Sequence, residues 1–204
     1  RQAQGKINSA SKKEKAQAEQ NSAPLFFHPY FGELGGVAAS KEVSVSPIGD
    51  SSVALIVIDA LNAKHLGVYG YHRNTSPNMD RFAKGGLVFT DWIASSSWTR
   101  PAFTTIVTGV KKKTHKMELG ERRLAKVLPT LATEFKKAGY STAAFIGNPL
   151  IGRKWGYDRG FDVFVDSDDV GAFPRAKVLV DRAIEWLDEQ KDGPYFLCLF
   201  LTDP

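Results

Sequence analysis

Val53-Ala-Leu-Ile-Val-Ile58-Asp59 opens the globular part of the chain with six unbroken apolar residues, preceded by Ser51-Ser52 and closed by a carboxylate. A strand with one wet face alternates apolar and polar residues, whereas a continuous β-branched run suits a strand covered on both faces, as in a parallel sheet. Downstream, the hydrophobic period switches repeatedly. Ser76-Pro77 predicts the start of a short helix with Met79, Phe82 and Ala83 inward, ended by Gly85-Gly86. Leu87-Val88-Phe89 then predicts a strand, and residues 100–108 a helix stopped by Gly109. Residues 129–138 predict a helix with Leu131, Phe135 and Ala138 on one face and Gly139 as its C-terminal stop. Strands are expected over 142–146, 161–165 and 195–201, with a long helix over 174–190 burying Val178, Ala183, Ile184 and Leu187. Strands alternating with helices predict an α/β fold, three layers deep, with a mostly parallel central sheet.

At 204 residues, 43% hydrophobic and 24% charged, the chain has the size of one domain with an appendage. No apolar run approaches the ~20 residues that cross a bilayer. The lone Cys198 excludes an internal disulfide and any cysteine-built zinc site, and its apolar neighbours predict burial. The charge of +5 is uneven: residues 1–20 hold five cations against two carboxylates, leaving +2 for everything else. Residues 1–22 have almost no large apolar side chains, so they are expected to be disordered or loosely helical. The same tail lacks interleaved aromatics, which argues against a nucleic-acid partner. The organisation expected is a weakly ordered extension over 1–50 and a folded domain over 51–204. The chain begins with Arg1 and stops just after an apolar strand, as a fragment or processed product would.

Two residues stand where chemistry is expected. Open α/β sheets bind ligands beyond the carboxyl ends of their strands, and Asp59 directly follows one. A carboxylate there suits a metal or catalytic role, or simply caps a turn. Thr99, in Ser95-Ser-Ser-Trp-Thr-Arg-Pro101, is placed as an N-cap with Pro101 in the first turn. Its hydroxyl would face the positive end of a helix, which favours an alkoxide or a bound oxyanion.

Ordered motifs add a family likeness. Val57-Ile-Asp-Ala60, Leu66-Gly-Val-Tyr-Gly-Tyr71, Thr75-Ser-Pro-Asn-Met-Asp-Arg-Phe-Ala83 and Trp98-Thr-Arg-Pro101 through Thr108-Gly109 occur in sequence. Ala138-Gly-Tyr-Ser-Thr142, Gly160-Phe-Asp162 and Asp203-Pro204 follow. Together these resemble the amino-terminal part of the sulfatase and alkaline-phosphatase superfamily. The resemblance implies an alkaline-phosphatase-like fold, incomplete at its C-terminal side, and a metal-dependent hydrolase of sulfate or phosphate esters. It puts Thr99 at the position of the formylglycine precursor, as nucleophile and metal ligand. Asp59 falls at the first carboxylate of a divalent metal site for calcium, zinc or manganese. Asn148, His115 and Arg100 are the expected substrate contacts, and a small-molecule or glycan ester is the expected substrate. Family habit implies a periplasmic, secreted or membrane-associated location.

Departures narrow this reading. Oxidising a threonine gives a ketone, so no formylglycine is expected. The family's second carboxylate is Ala60, its arginine four places after the nucleophile is Phe103, and its Lys-x-His element is Gly147-Asn148-Pro149. These losses turn the reading toward a phosphodiesterase or phospho-group transferase, and leave open a non-catalytic binder of anionic glycans.

Overall fold

A computed structural model of the chain describes residues 51–118, 122–190 and 193–203. The expected extension over 1–50 lies outside them. Among the described residues the strands β1 (Val53–Ile58), β2 (Ser141–Ile146), β3 (Val163–Val165) and β4 (Tyr195–Leu201) form one sheet in the order β1-β4-β2-β3. Every pairing is parallel: Val53 to Ile58 lie beside Phe196 to Leu201, and Ser141 to Ile146 beside Tyr195 to Phe200. The last strand in sequence is therefore a central one in space.

Side chains alternate across a strand, and β4 uses that period to hold two helical layers apart. Phe196, Cys198 and Phe200 point to one face, where α2 (Thr99–Thr108) and α4 (Leu131–Lys137) supply Phe103, Val107 and Phe135. Phe135 stacks on Phe196 with ring centroids 4.5 Å apart, and Phe103 meets Phe200 edge-on at 5.2 Å. Leu197, Leu199 and Leu201 point the other way, toward Leu179, Ala183 and Trp186 of α6 (Ala176–Glu189). The three-layer α/β/α architecture follows from this one strand. The remaining helices are short: α1 (Pro77–Ala83), α3 (Lys112–His115) and α5 (Ser167–Val170). No helix among the described residues is long and apolar enough to cross a membrane.

Four expectations are corrected. β1, expected to be covered on both faces, packs Val53, Leu55 and Val57 against the core but leaves Ala54 and Ile56 exposed, Ile56 by 59%. In α1, Phe82 is 86% exposed, and the helix docks through polar groups instead. Asp80 accepts from Val68 N at 2.8 Å, and Ser76 Oγ accepts from Gly67 N at 3.0 Å. A Cβ at Gly67 would lie 2.3 Å from Asp80 Oδ2, so a larger residue there displaces the carboxylate that accepts from Val68 N. Residues 87–89 join no strand ladder, and Leu87 is exposed. In α6 the buried face runs through Leu179, Ala183 and Trp186, leaving Val178 and Ile184 at the surface.

Candidate active site

The site is built where β1 and β2 end on either side of β4. Asp59 N–H donates to Leu201 O at 2.8 Å, extending the β1–β4 ladder by one residue. The chain then turns sharply, because Ala60 takes a left-handed φ of 57° and its N–H donates to Asp59 Oδ1 at 3.0 Å. That conformation costs a residue with a Cβ roughly 1 kcal/mol. On the far side, Gly147 N–H donates to Phe200 O at 2.9 Å and Asn148 follows.

Strands flanking a common neighbour lie about 10 Å apart, so side chains from β1 and β2 meet only by reaching over the end of β4. They do: Asn148 Nδ2 donates to Asp59 Oδ2 at 2.9 Å. Asn148 is buried, and its Oδ1 accepts from Leu150 N at 2.9 Å, so both ends of the amide are committed within the protein. A third element completes the group. Thr99 Oγ1 donates to Asp59 Oδ2 at 3.1 Å and lies 3.4 Å from Oδ1.

Thr99 reaches Asp59 because it does not cap its own helix. The N-cap of α2 is Trp98, whose carbonyl accepts the first helical bond from Ala102 N at 3.1 Å. Thr99 is the first helical residue, and its hydroxyl turns outward to the carboxylate. Pro101 sits in the first turn, where a missing N–H costs nothing. Gly109, at φ 67°, ends the helix.

The other two expected contacts lie elsewhere. Arg100 is buried, its guanidinium 4.2 Å from the centre of the Trp155 ring, and its Nη2 donates to Arg122 O at 2.5 Å. His115, expected near the site entrance, is buried in the joint between α2 and α3. Its Nδ1 accepts from Met117 N at 3.0 Å, which leaves Nε2 as the protonated nitrogen, donating to Thr105 Oγ1 at 3.1 Å. Burial, the largest influence on it, holds the imidazole below its ordinary pKa of 6.5. Neither side chain bonds Asp59, Thr99 or Asn148. Trp155 and Tyr157 escaped the sequence reading, for no spacing rule marks an aromatic in a turn. Tyr157 Oη lies 2.6 Å from Thr104 Oγ1, fastening the 152–157 turn to α2.

As a cation site the cluster is partial. The Asp59 carboxylate and the Thr99 hydroxyl are oxygen donors of the kind hard divalent ions take. Among the described residues no group of three or more His, Cys, Asp or Glu is placed to hold an ion.

The sulfatase family model matches residues 51–204, the whole stretch that carries this cluster. The chain belongs to the sulfatase family. Human arylsulfatase A is 40% identical to it over 76 residues, which cover 37% of this chain and 14% of that enzyme. A sulfatase from Formosa agariphila is 23% identical over 196 aligned residues, covering 75% of this chain and 39% of that protein. The chain thus spans well under half the length of these relatives. Among solved structures, the phosphonate monoester hydrolase of Agrobacterium radiobacter superposes with a TM-score of 0.63 at 22% identity, over 76% of this chain and 41% of that one. The zinc complex of the C-terminal periplasmic domain of EcEptC from Escherichia coli gives 0.58 at 19% identity, over 74% and 43%. At such identities the likeness is one of fold. In this sulfatase-family chain Phe103 points into the core, 4% exposed, against Phe200 and Tyr157.

Proposed function

We propose that the protein is a hydrolase of sulfate or phosphate esters in which Thr99 attacks and Asp59 orients it. The observation that carries this reading is the 3.1 Å contact between Thr99 Oγ1 and Asp59 Oδ2, made between elements 40 residues apart in sequence. A hydroxyl donating to a carboxylate has its proton fixed and its lone pairs turned outward, toward an incoming ester. The positive end of α2 lies beside that oxygen and favours charge developing on it. A secondary alcohol is a weak nucleophile at its free pKa and needs further activation. A divalent cation held by Asp59 and Thr99, with ligands beyond these two, would supply that activation and offset charge on the ester oxygens. Attack by Oγ1 on sulfur or phosphorus forms a threonyl ester and expels the alcohol. Water then cleaves that ester and returns the hydroxyl.

Phosphate esters are the narrower reading within this class. The family resemblance puts an arginine where Phe103 fills the core, and Thr99 lacks the chemistry to become an aldehyde. The periplasmic setting of the EcEptC domain supports a location outside the cytoplasm.

Turnover of aryl phosphate, phosphodiester and aryl sulfate esters by the intact protein tests the proposal. Thr99→Ala is expected to lower kcat by about 10³-fold or more, the usual scale for losing a covalent nucleophile. Equal rates in wild type and variant remove Thr99 from the role. Protein that turns over none of the three and carries no stoichiometric divalent ion supports a binder of anionic glycans instead.

A further inference from the structure

We infer that Trp155 is a positioning residue that ties together the two sides of the site, keeping the Thr99 and Asn148 side chains on Asp59 without touching the reacting atoms. The inference rests on the reading of Thr99 and Asp59 given above. Thr99 comes from the first turn of α2 and Asn148 from the turn after β2, so two separate pieces of chain must be held in register. Trp155, half-buried in a short 3-10 turn (Arg153–Trp155), touches the immediate neighbour of each. The face of its ring carries the guanidinium of Arg100, the residue after Thr99, at 4.2 Å. Its Nε1–H, the one polar group an indole has, donates at 3.0 Å to the carbonyl of Pro149, the residue after Asn148.

The contacts close a circuit running from Asp59 through Thr99, Arg100, Trp155, Pro149 and Asn148 back to Asp59. A second, shorter tie runs alongside it. Arg100 Nη2 donates to Arg122 O at 2.5 Å, and two residues on, Leu124 N donates to Trp155 O at 2.8 Å. Arg100 is buried, and a cation stacked on an indole away from water is held more strongly than one at the surface.

Substitutions in the intact protein separate positioning from packing. Trp155→Phe keeps a ring face for Arg100 and removes the donor to Pro149. It is expected to lower kcat about tenfold with KM changed less than about twofold, since small misplacements of reacting groups act on the rate. In an Asn148→Ala background the same change is expected to cost less than about twofold more, because both act through one contact to Asp59. Factors that multiply, or an unchanged kcat in Trp155→Phe, overturn the inference. A readout independent of turnover is solvent exchange of the Asn148 side-chain amide, followed by NMR in selectively labelled protein. It is expected to quicken at least about tenfold in Trp155→Phe. Equal exchange in both proteins also overturns the inference. Full activity in Thr99→Ala sinks the nucleophile reading alone, while the exchange measurement still decides whether Trp155 holds Asn148.

Discussion

His115 and Asn148 show how far the identity of a residue leads and where it stops. Both were legible as polar groups near a family site, yet what each does depends on which neighbours take its hydrogen bonds. Asn148 gives its amide to Asp59 and its carbonyl to Leu150 N, so it serves the carboxylate. His115 is held between Thr105 and Met117, and burial lowers its pKa, favouring the neutral form. Its consequence is for stability. The folded pKa lies below the ordinary 6.5, so between the two values the unfolded chain binds more protons than the folded one. Stability from this group is complete above 6.5 and falls as pH drops through that window. His115→Gln is expected to flatten the decline of Tm between about pH 7.5 and pH 5, as followed by calorimetry. A slope identical to wild type would mean that other groups set it.

At the scale of elements, much was legible and the misses share a cause. β1 and β4 announce themselves because both are apolar without interruption, and Gly109 marks where α2 must stop. The start of α2 shifts by one residue: Trp98 caps, and the threonine that usually would is diverted to a carboxylate arriving from β1. Sequence carries no sign of that competition, since Asp59 is distant along the chain. In α6, Val178 and Ile184 look as apolar as Leu179, but the inward face is fixed by which residues meet Phe145 and Leu199. Exposed Phe82 and Leu87 mislead for the same reason: hydrophobicity names candidates for burial without naming their partners. Where partners are close, the fold leaves no slack. A Cβ on Gly147 would lie 3.1 Å from Phe200 O and 3.2 Å from Leu179 Cδ1, at the point where β2 hands over to Asn148. Gly147→Ala is therefore expected to destabilise the protein by about 1–3 kcal/mol in denaturant titrations, the usual cost of overpacking. Full stability in that variant would show that the end of β2 yields more easily than its packing implies.

For the molecule as a whole, stability converges on β4. It pairs with β1 along one edge and β2 along the other, and its alternating side chains anchor both helical layers. Cys198 sits at its centre, fully buried, its thiol pushed up to about 12 by burial. Alkylation needs a thiolate in contact with solvent, so the native state is doubly protected: by the pKa and by the layers above and below. Opening that exposes Cys198 must lift α2 and α4 from the sheet, which breaks up the core cluster built on Phe103, Val107, Phe135, Phe196 and Phe200. Labelling with iodoacetamide, read on the peptide that contains Cys198, is then expected to follow global unfolding. The free energy and denaturant slope drawn from labelling rates should match those from loss of helical circular dichroism. Labelling that proceeds well below the unfolding transition, at a rate indifferent to denaturant, would mean instead that the sheet breathes at its centre.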